Sequence, residues 1–168
     1  MPEIKNVPQT DTPADSARAI SPEDETFLRE ALAEAERAAR MDEVPVGAVI
    51  VRNGQMIARA ANTREGSKCA THHAEILAIE EACRTLGGWR LPGTTLYVTL
   101  EPCPMCAGAI ANARVERVVF GAYDPKAGAY GSVFDLNALP LNHHPAVVGG
   151  CLEPECRSVL TSYFRAKR

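Results

Sequence analysis

The 168-residue sequence contains no long apolar run. Its longest strongly hydrophobic stretch, Val44 to Val51, is far too short to span a bilayer, so no membrane association is expected. The first twenty residues hold no apolar core segment, which argues against a secretory signal. Basic excess is missing too: the net charge is −3, and global attraction to phosphate is excluded. The deficit is uneven, however. Residues 1–50 carry five basic and eleven acidic side chains, against thirteen and ten over 51–168, which leaves room for a local basic patch. No internal repeat is visible.

What is present fits one soluble domain. A chain of 168 residues buries roughly 70% of its unfolded surface, and 46% hydrophobic against 23% charged residues is ordinary composition. Residues 1–20 are polar, with Pro2, Pro8 and Pro13 and no periodicity, and read as a disordered tail before a domain over 21–168. Ser21-Pro22-Glu23-Asp24 starts a helix running to about Arg40. Val46–Arg52 and Met56–Ala60 read as a hairpin around Asn53-Gly54. Asn62–Ala70 is expected to be a polar loop. His73–Leu86 is expected to be a helix with Ile76, Leu77, Ile79 and Cys83 inward, stopped at Gly87-Gly88. A strand over Thr95–Leu100, a small-residue helix over Cys103–Asn112 and a strand over Val115–Gly121 follow. After a long loop with one short helical turn come a weak strand at Val147-Val148 and a helix over Pro154–Arg168. This order predicts an α/β fold, a three-layer α/β/α sandwich on a mixed, mostly five-stranded sheet.

Two stretches thirty positions apart carry the chemistry: Thr71-His72-His73-Ala74-Glu75 and Glu101-Pro102-Cys103-Pro104-Met105-Cys106. Cys103 and Cys106, three apart, share one face of a first helical turn and can chelate one ion. His73 completes a three-ligand Zn²⁺ set, which leaves a fourth tetrahedral position for water. Glu75, two after His73, suits a proton shuttle better than a ligand. Such a thiolate site needs a reducing compartment, so cytoplasm is the default. The competing reading is a zinc ribbon with Cys69 as fourth ligand, which leaves Glu75 without a role. His72, His143 and His144 read as packed or solvated rather than ligating. Cys151 and Cys156 read as buried free thiols, with a redox pair as the alternative.

Glu43-Val44-Pro45-Val46-Gly47-Ala48, His73-Ala74-Glu75 and Pro102-Cys103-Pro104-Met105-Cys106-Ala107-Gly108 resemble the zinc deaminases of the cytidine-deaminase-like fold. The segment Val119–Ala129, Leu141-Asn142-His143 and the ending Tyr163–Arg168 are similar to the tRNA adenosine deaminases within that group. The resemblance implies zinc on His73, Cys103 and Cys106, with Glu75 as the proton shuttle. It implies that Asn62 hydrogen-bonds the flipped base, although as a sequence feature Asn62 is equally a turn residue. Val46 would wall the base pocket, or simply be a buried strand residue. Asp124 and Lys126 would contact the anticodon loop, His143 would be a further substrate-binding residue, and Phe164, Arg165 and Arg168 would grip flanking nucleotides. The alternative for that ending is a solvated last helical turn. Two departures stand out: Cys69-Ala70-Thr71-His72 replaces the usual Asp-Pro-Thr-Ala, and Tyr123 stands where a basic residue is common.

The implied activity is hydrolytic deamination of adenosine to inosine at the wobble position of a tRNA anticodon, by a zinc-activated water. The implied partner is the tRNA anticodon stem-loop, the implied acceptor tRNA-Arg, and the implied assembly a homodimer. An unpaired anticodon base costs least to extrude, within the few kcal/mol typical of base flipping. The rivals are a free-base or nucleoside deaminase acting on guanine or cytosine, and a non-catalytic zinc-stabilised RNA-binding module.

Overall fold

The computed structural model describes residues 17–168. The helix α1, Pro22–Arg40, opens on a capping box. The Ser21 hydroxyl accepts from the Asp24 amide at 3.2 Å, and the Asp24 carboxylate accepts from the Ser21 amide at 2.9 Å. Strands β1 (Gly47–Arg52) and β2 (Gln55–Ala61) form the expected hairpin. Asn53 and Gly54 both take positive φ, 51° and 72°, as a type I′ turn demands. Then follow α2 (Arg64–Ser67), α3 (Ala74–Leu86), β3 (Thr94–Leu100), α4 (Pro104–Asn112) and β4 (Arg117–Ala122). A 3₁₀ turn (Leu136–Ala138), β5 (Ala146–Val148) and α5 (Glu153–Ala166) complete the chain.

The strand order is β2-β1-β3-β4-β5. β1 runs antiparallel to both β2 and β3, while β3, β4 and β5 are parallel. This is the expected mixed five-stranded sheet. Alternation along the strands builds a core on each face. Ala48 and Ile50 of β1, Leu96 and Val98 of β3, and Val118 and Phe120 of β4 face α3 and α4. Val49 and Val51, Tyr97 and Val119 face α1 and α5. Helix α1 lies so close that a Cβ at Gly47 would sit 2.0 Å from the Ala31 carbonyl oxygen, so only glycine fits there. Among the described residues no helix is long and apolar enough to cross a membrane.

Two expectations need correction. Asn62–Ala70 is not all loop: residues 64–67 form the turn α2. Its free amides are taken by the buried Glu43 carboxylate, from Glu65 at 3.0 Å and Gly66 at 2.5 Å. A partner 22 residues upstream leaves no local pattern to read. The fully buried face of α3 is Ala74, Glu75, Ala78, Ile79 and Ala82; Leu77 and Cys83 pack on the core half-buried, and Ile76 is half-buried outside that cluster. Small residues let the helix settle closely on β1 and β2, and the bulkier ones move to the flank. Residues 1–16 of the expected tail lie outside the described residues. Over 17–20, the Ala17 and Ala19 carbonyls accept from the Arg117 guanidinium at 2.7 and 3.1 Å.

Candidate active site

Because β2, β3 and β4 point the same way, the segments that follow them gather at one end of the sheet. That is where ligands collect in open α/β folds. Asn62 follows β2, Glu101 to Cys103 follow β3, and Asp124 follows β4. His73 and Cys103 are each the N-cap residue of their helices, α3 and α4, yet neither side chain makes a capping bond. Both stay free for ligation, beside helix ends that favour thiolate.

The imidazole Nδ1 of His73 lies 3.6 Å from the Cys103 sulfur and 3.5 Å from that of Cys106. The three donor atoms fall within 4.8 Å of one another, and they are the one such group among the described residues. One imidazole and two sulfurs at this separation fit a Zn²⁺ site with a corner left over. A hydrogen bond from Cys106, with His73 assisting, brings the Cys103 thiol down to about 4 and holds Cys106 protonated. The bond to Cys103 raises His73, against its burial.

Glu75 is only 4% exposed, and burial pushes its carboxyl up to about 7. A divalent cation alongside acts in the opposite direction. Glu75, His73 and Cys103 line a cleft of about 170 Å³ with Val44, Val46, Asn62, Arg64, Ala74, Leu100, Glu101, Asp124 and Ala127. Asn62 donates from Nδ2 to the Val44 carbonyl at 3.3 Å, while its Oδ1 is buried without a partner among the described residues. A buried acceptor left unpaired beside an open cleft is a place for a ligand's donor.

Of the other sequence-derived site residues, all but His143 lie at the cleft or at a second hollow. Val46 and Asp124 are at the cleft. Asp124 also folds its own loop, its Oδ1 accepting from the Lys126 and Ala127 amides at 3.0 and 3.3 Å. Lys126, Phe164, Arg165 and Arg168 come together around a hollow of about 540 Å³ along α5. The Tyr163 hydroxyl donates to the Asp42 carbonyl at 3.2 Å, and Lys167, which also lines the hollow, pairs with the Asp42 carboxylate. His143 is not brought to either place; its Nε2 sits 2.6 Å from the Val115 carbonyl oxygen, where it fixes the entry to β4. Cys69 stays off the metal cluster and contacts the Thr71 hydroxyl at 3.4 Å, which removes the fourth ligand that a zinc ribbon needs. His72 turns to the Ser67 hydroxyl at 2.8 Å. Tyr123 packs edge-on against Phe120 at 5.1 Å, and Cys151 and Cys156 are buried free thiols. Sequence reading missed Val44, Arg64, Leu100, Glu101 and Ala127; the one visible signal was Glu101 directly before Pro102-Cys103.

A family model described as the cytidine and deoxycytidylate deaminase zinc-binding region matches residues 21–122. A tRNA-specific adenosine deaminase of Bacillus subtilis (strain 168) is 54% identical over 147 residues, covering 87% of this chain and 91% of its own. The chain belongs to the family of tRNA-specific adenosine deaminases. A solved structure from work on A-to-I editing by tRNA:A34 deaminases at the wobble position is similar at 46% identity and a TM-score of 0.76. It covers 80% of this chain and 99% of that one. A guanine deaminase from Bacillus subtilis is also similar, at 42% identity and a TM-score of 0.57, but over only 59% of this chain and 64% of that one. The tRNA-specific adenosine deaminase family thus accounts for more of the molecule than the free-base enzyme does.

Proposed function

We propose that the protein deaminates adenosine to inosine at the wobble position of a tRNA anticodon, with tRNA-Arg the expected acceptor. The anticodon stem-loop is the partner, one domain over 21–168 does the work, and the assembly is a cytoplasmic homodimer. The observation that carries this reading is the pairing of a buried Glu75 with an unpartnered Asn62 oxygen across the cleft that holds His73 and Cys103. Identities of 45–54% to relatives named tRNA-specific adenosine deaminase support it.

His73, Cys103 and Cys106 would hold zinc, which when bound supplies an activated water and a Lewis acid. The chain's own residues do the rest. Glu75 takes the attacking water's proton and delivers it to purine N1 as the hydroxide adds at C6; it then takes the proton of the new C6 hydroxyl and passes it to the amine, so that ammonia leaves and C6 becomes the carbonyl of inosine. Asn62 holds the base edge, and Val46 walls the pocket. Lys126, Phe164, Arg165 and Arg168 offer a cationic and stacking surface for nucleotides outside the cleft. With a net charge of −3, long-range attraction contributes little, and these local contacts must carry affinity.

The test is inosine detection after incubation with an anticodon stem-loop bearing adenosine at the wobble position, and separately with free adenosine, cytosine and guanine. Turnover of the stem-loop alone is the expected result. If about four phosphate contacts form, the log–log salt slope of binding is near −3. Deletion of Tyr163–Arg168 should abolish stem-loop turnover with the fold intact. Unchanged turnover of a free base by that deletion would establish the guanine- or cytosine-deaminase reading instead.

A further inference from the structure

The Glu101 carboxylate is 1% exposed, lies beside the cleft, and is used neither in the metal cluster nor in the proton shuttle. Both of its oxygens are committed to one loop. Oε1 accepts from the Tyr130 and Ser132 amides, each at 3.1 Å. Oε2 accepts from the Asp124 amide at 2.9 Å and from the Ser132 hydroxyl. Next door, the Pro102 carbonyl accepts from the Ala129 amide at 2.9 Å. The loop that these bonds gather carries Asp124 and Ala127 on the cleft wall and Lys126 in the hollow along α5. It passes so near that a Cβ at Gly128 would lie 2.3 Å from the Glu101 carboxyl carbon.

We propose that Glu101, with Gly128 against it, is the positioning residue that sets the β4-side wall of the base cleft and holds Lys126 in register for RNA. The inference rests on the tRNA reading above. The physical reason is the donor count. Four hydrogens from one loop converge on two oxygens, and only a carboxylate accepts at both; a glutamine at 101 would aim its own NH₂ at incoming donors. Glu101 is held from the other side by β3 and by Cys103 two residues on, so the loop inherits its position from the same segment that carries a metal ligand. Cleft wall, RNA hollow and zinc cluster are thereby mounted on one stretch of chain. Glu101 touches no reacting atom in this scheme, so its loss should appear in KM for RNA before it appears in kcat.

The experiment compares wild type, Glu101→Gln, Glu101→Asp and Gly128→Ala, each loaded with zinc and assayed on the A-wobble stem-loop. Amide hydrogen exchange of residues 124–134 and zinc content are measured in parallel. Glu101→Gln and Gly128→Ala should each raise KM by about tenfold or more while kcat falls less than about threefold. The loop amides should lose protection and zinc stay at one per chain. Glu101→Asp should rescue part of the KM, and the double variant Glu101→Gln/Gly128→Ala should be no worse than either single. Wild-type KM and loop protection in either single variant would overturn the inference. So would loss of zinc, or of the whole fold, in both single variants, since the role would then be merely structural. Should only Glu101→Gln fail to fold, Gly128→Ala decides, because it keeps the carboxylate. A wild-type protein that makes no inosine from the stem-loop would sink the tRNA reading, while the exchange data still judge Glu101.

Discussion

Two acidic side chains are buried on opposite faces of the sheet, and they are treated in opposite ways. Asp24, in the first turn of α1, is surrounded by donors. Arg117 contributes hydrogen bonds of 2.6 and 2.8 Å, Tyr97 one of 3.0 Å, and the Ser21 amide one of 2.9 Å. Although burial opposes it, these bonds, led by Arg117, lower the Asp24 carboxyl below its ordinary 3.8. Glu75, at the start of α3, has the Cys106 thiol and the His73 imidazole beside it and the cleft in front. Burial dominates there and the carboxyl rises to about 7. One carboxylate is fully paired and serves stability. The other is left underpaired where a proton must move, which is how a fold marks its reacting end.

The strongest way to break this comparison is Glu75→Gln. The variant keeps shape but cannot carry a proton. It should lose about a thousandfold or more in stem-loop turnover while binding zinc and RNA as before. Turnover, zinc content and RNA titration on the same preparation check it. Residual activity near wild type would remove Glu75 from the mechanism. Full zinc and RNA binding with wild-type protein inert on every nucleobase would instead favour the non-catalytic binding module.

Asp24→Ala should do the reverse. Removing one partner of a buried pair leaves Arg117 uncompensated, and the loss should be about 3 kcal/mol in urea unfolding at pH 7, with kcat untouched. Because the folded carboxyl is lowered, its contribution is complete above pH 3.8 and is lost as pH falls through the lower folded value. The gap between wild type and variant should therefore close in acid. A gap that stays constant down to pH 2 would show that packing, not charge, holds this corner.

What could be read from the chain follows the same division. Local signals were legible: the Ser21-Pro22 helix start, the Asn53-Gly54 turn, and a His73, Cys103 and Cys106 set whose spacing already implied convergence. The structure brings those three together with Glu75 and Asn62. The paired acids were not legible, because Asp24 and Arg117 are 93 positions apart, and Glu43 and Glu101 reach 22 to 31 positions to their loops. Apart from the place of Glu101 directly before Pro102-Cys103, nothing in a local window distinguishes such a residue from an ordinary surface acid. His143 shows the limit of resemblance alone: here the side chain is engaged with the Val115 carbonyl, away from the cleft.

Glu43 sharpens the comparison as an intermediate case. It is 2% exposed and accepts only backbone amides, those of Glu65 and Gly66. Glu43→Gln should lower stability by about 2 kcal/mol, in line with loss of charge-assisted bonds. Amide exchange should accelerate at 64–67, the turn that carries Arg64 at the cleft rim. Unfolding spread over the whole chain, rather than confined to that turn, would mean that Glu43 supports the core instead.

The smallest expected stability change is at Asn62, and it discriminates most finely. Its Nδ2 makes one bond of 3.3 Å to Val44, while its Oδ1 is buried and unpaired. Asn62→Ala loses a weak bond but also removes an unsatisfied acceptor, so the two effects nearly offset, within about 1 kcal/mol of wild type. Turnover should nevertheless fall by about tenfold or more, since a base edge held by that oxygen loses its orientation. Asp24 and Asn62 would then be mirror images, one stabilising without chemistry and the other serving chemistry without stabilising. If Asn62→Ala instead unfolds the protein by several kcal/mol at unchanged kcat/KM, the Asn62 oxygen is satisfied in solution. An underpaired buried group would then no longer identify the reacting end of this fold.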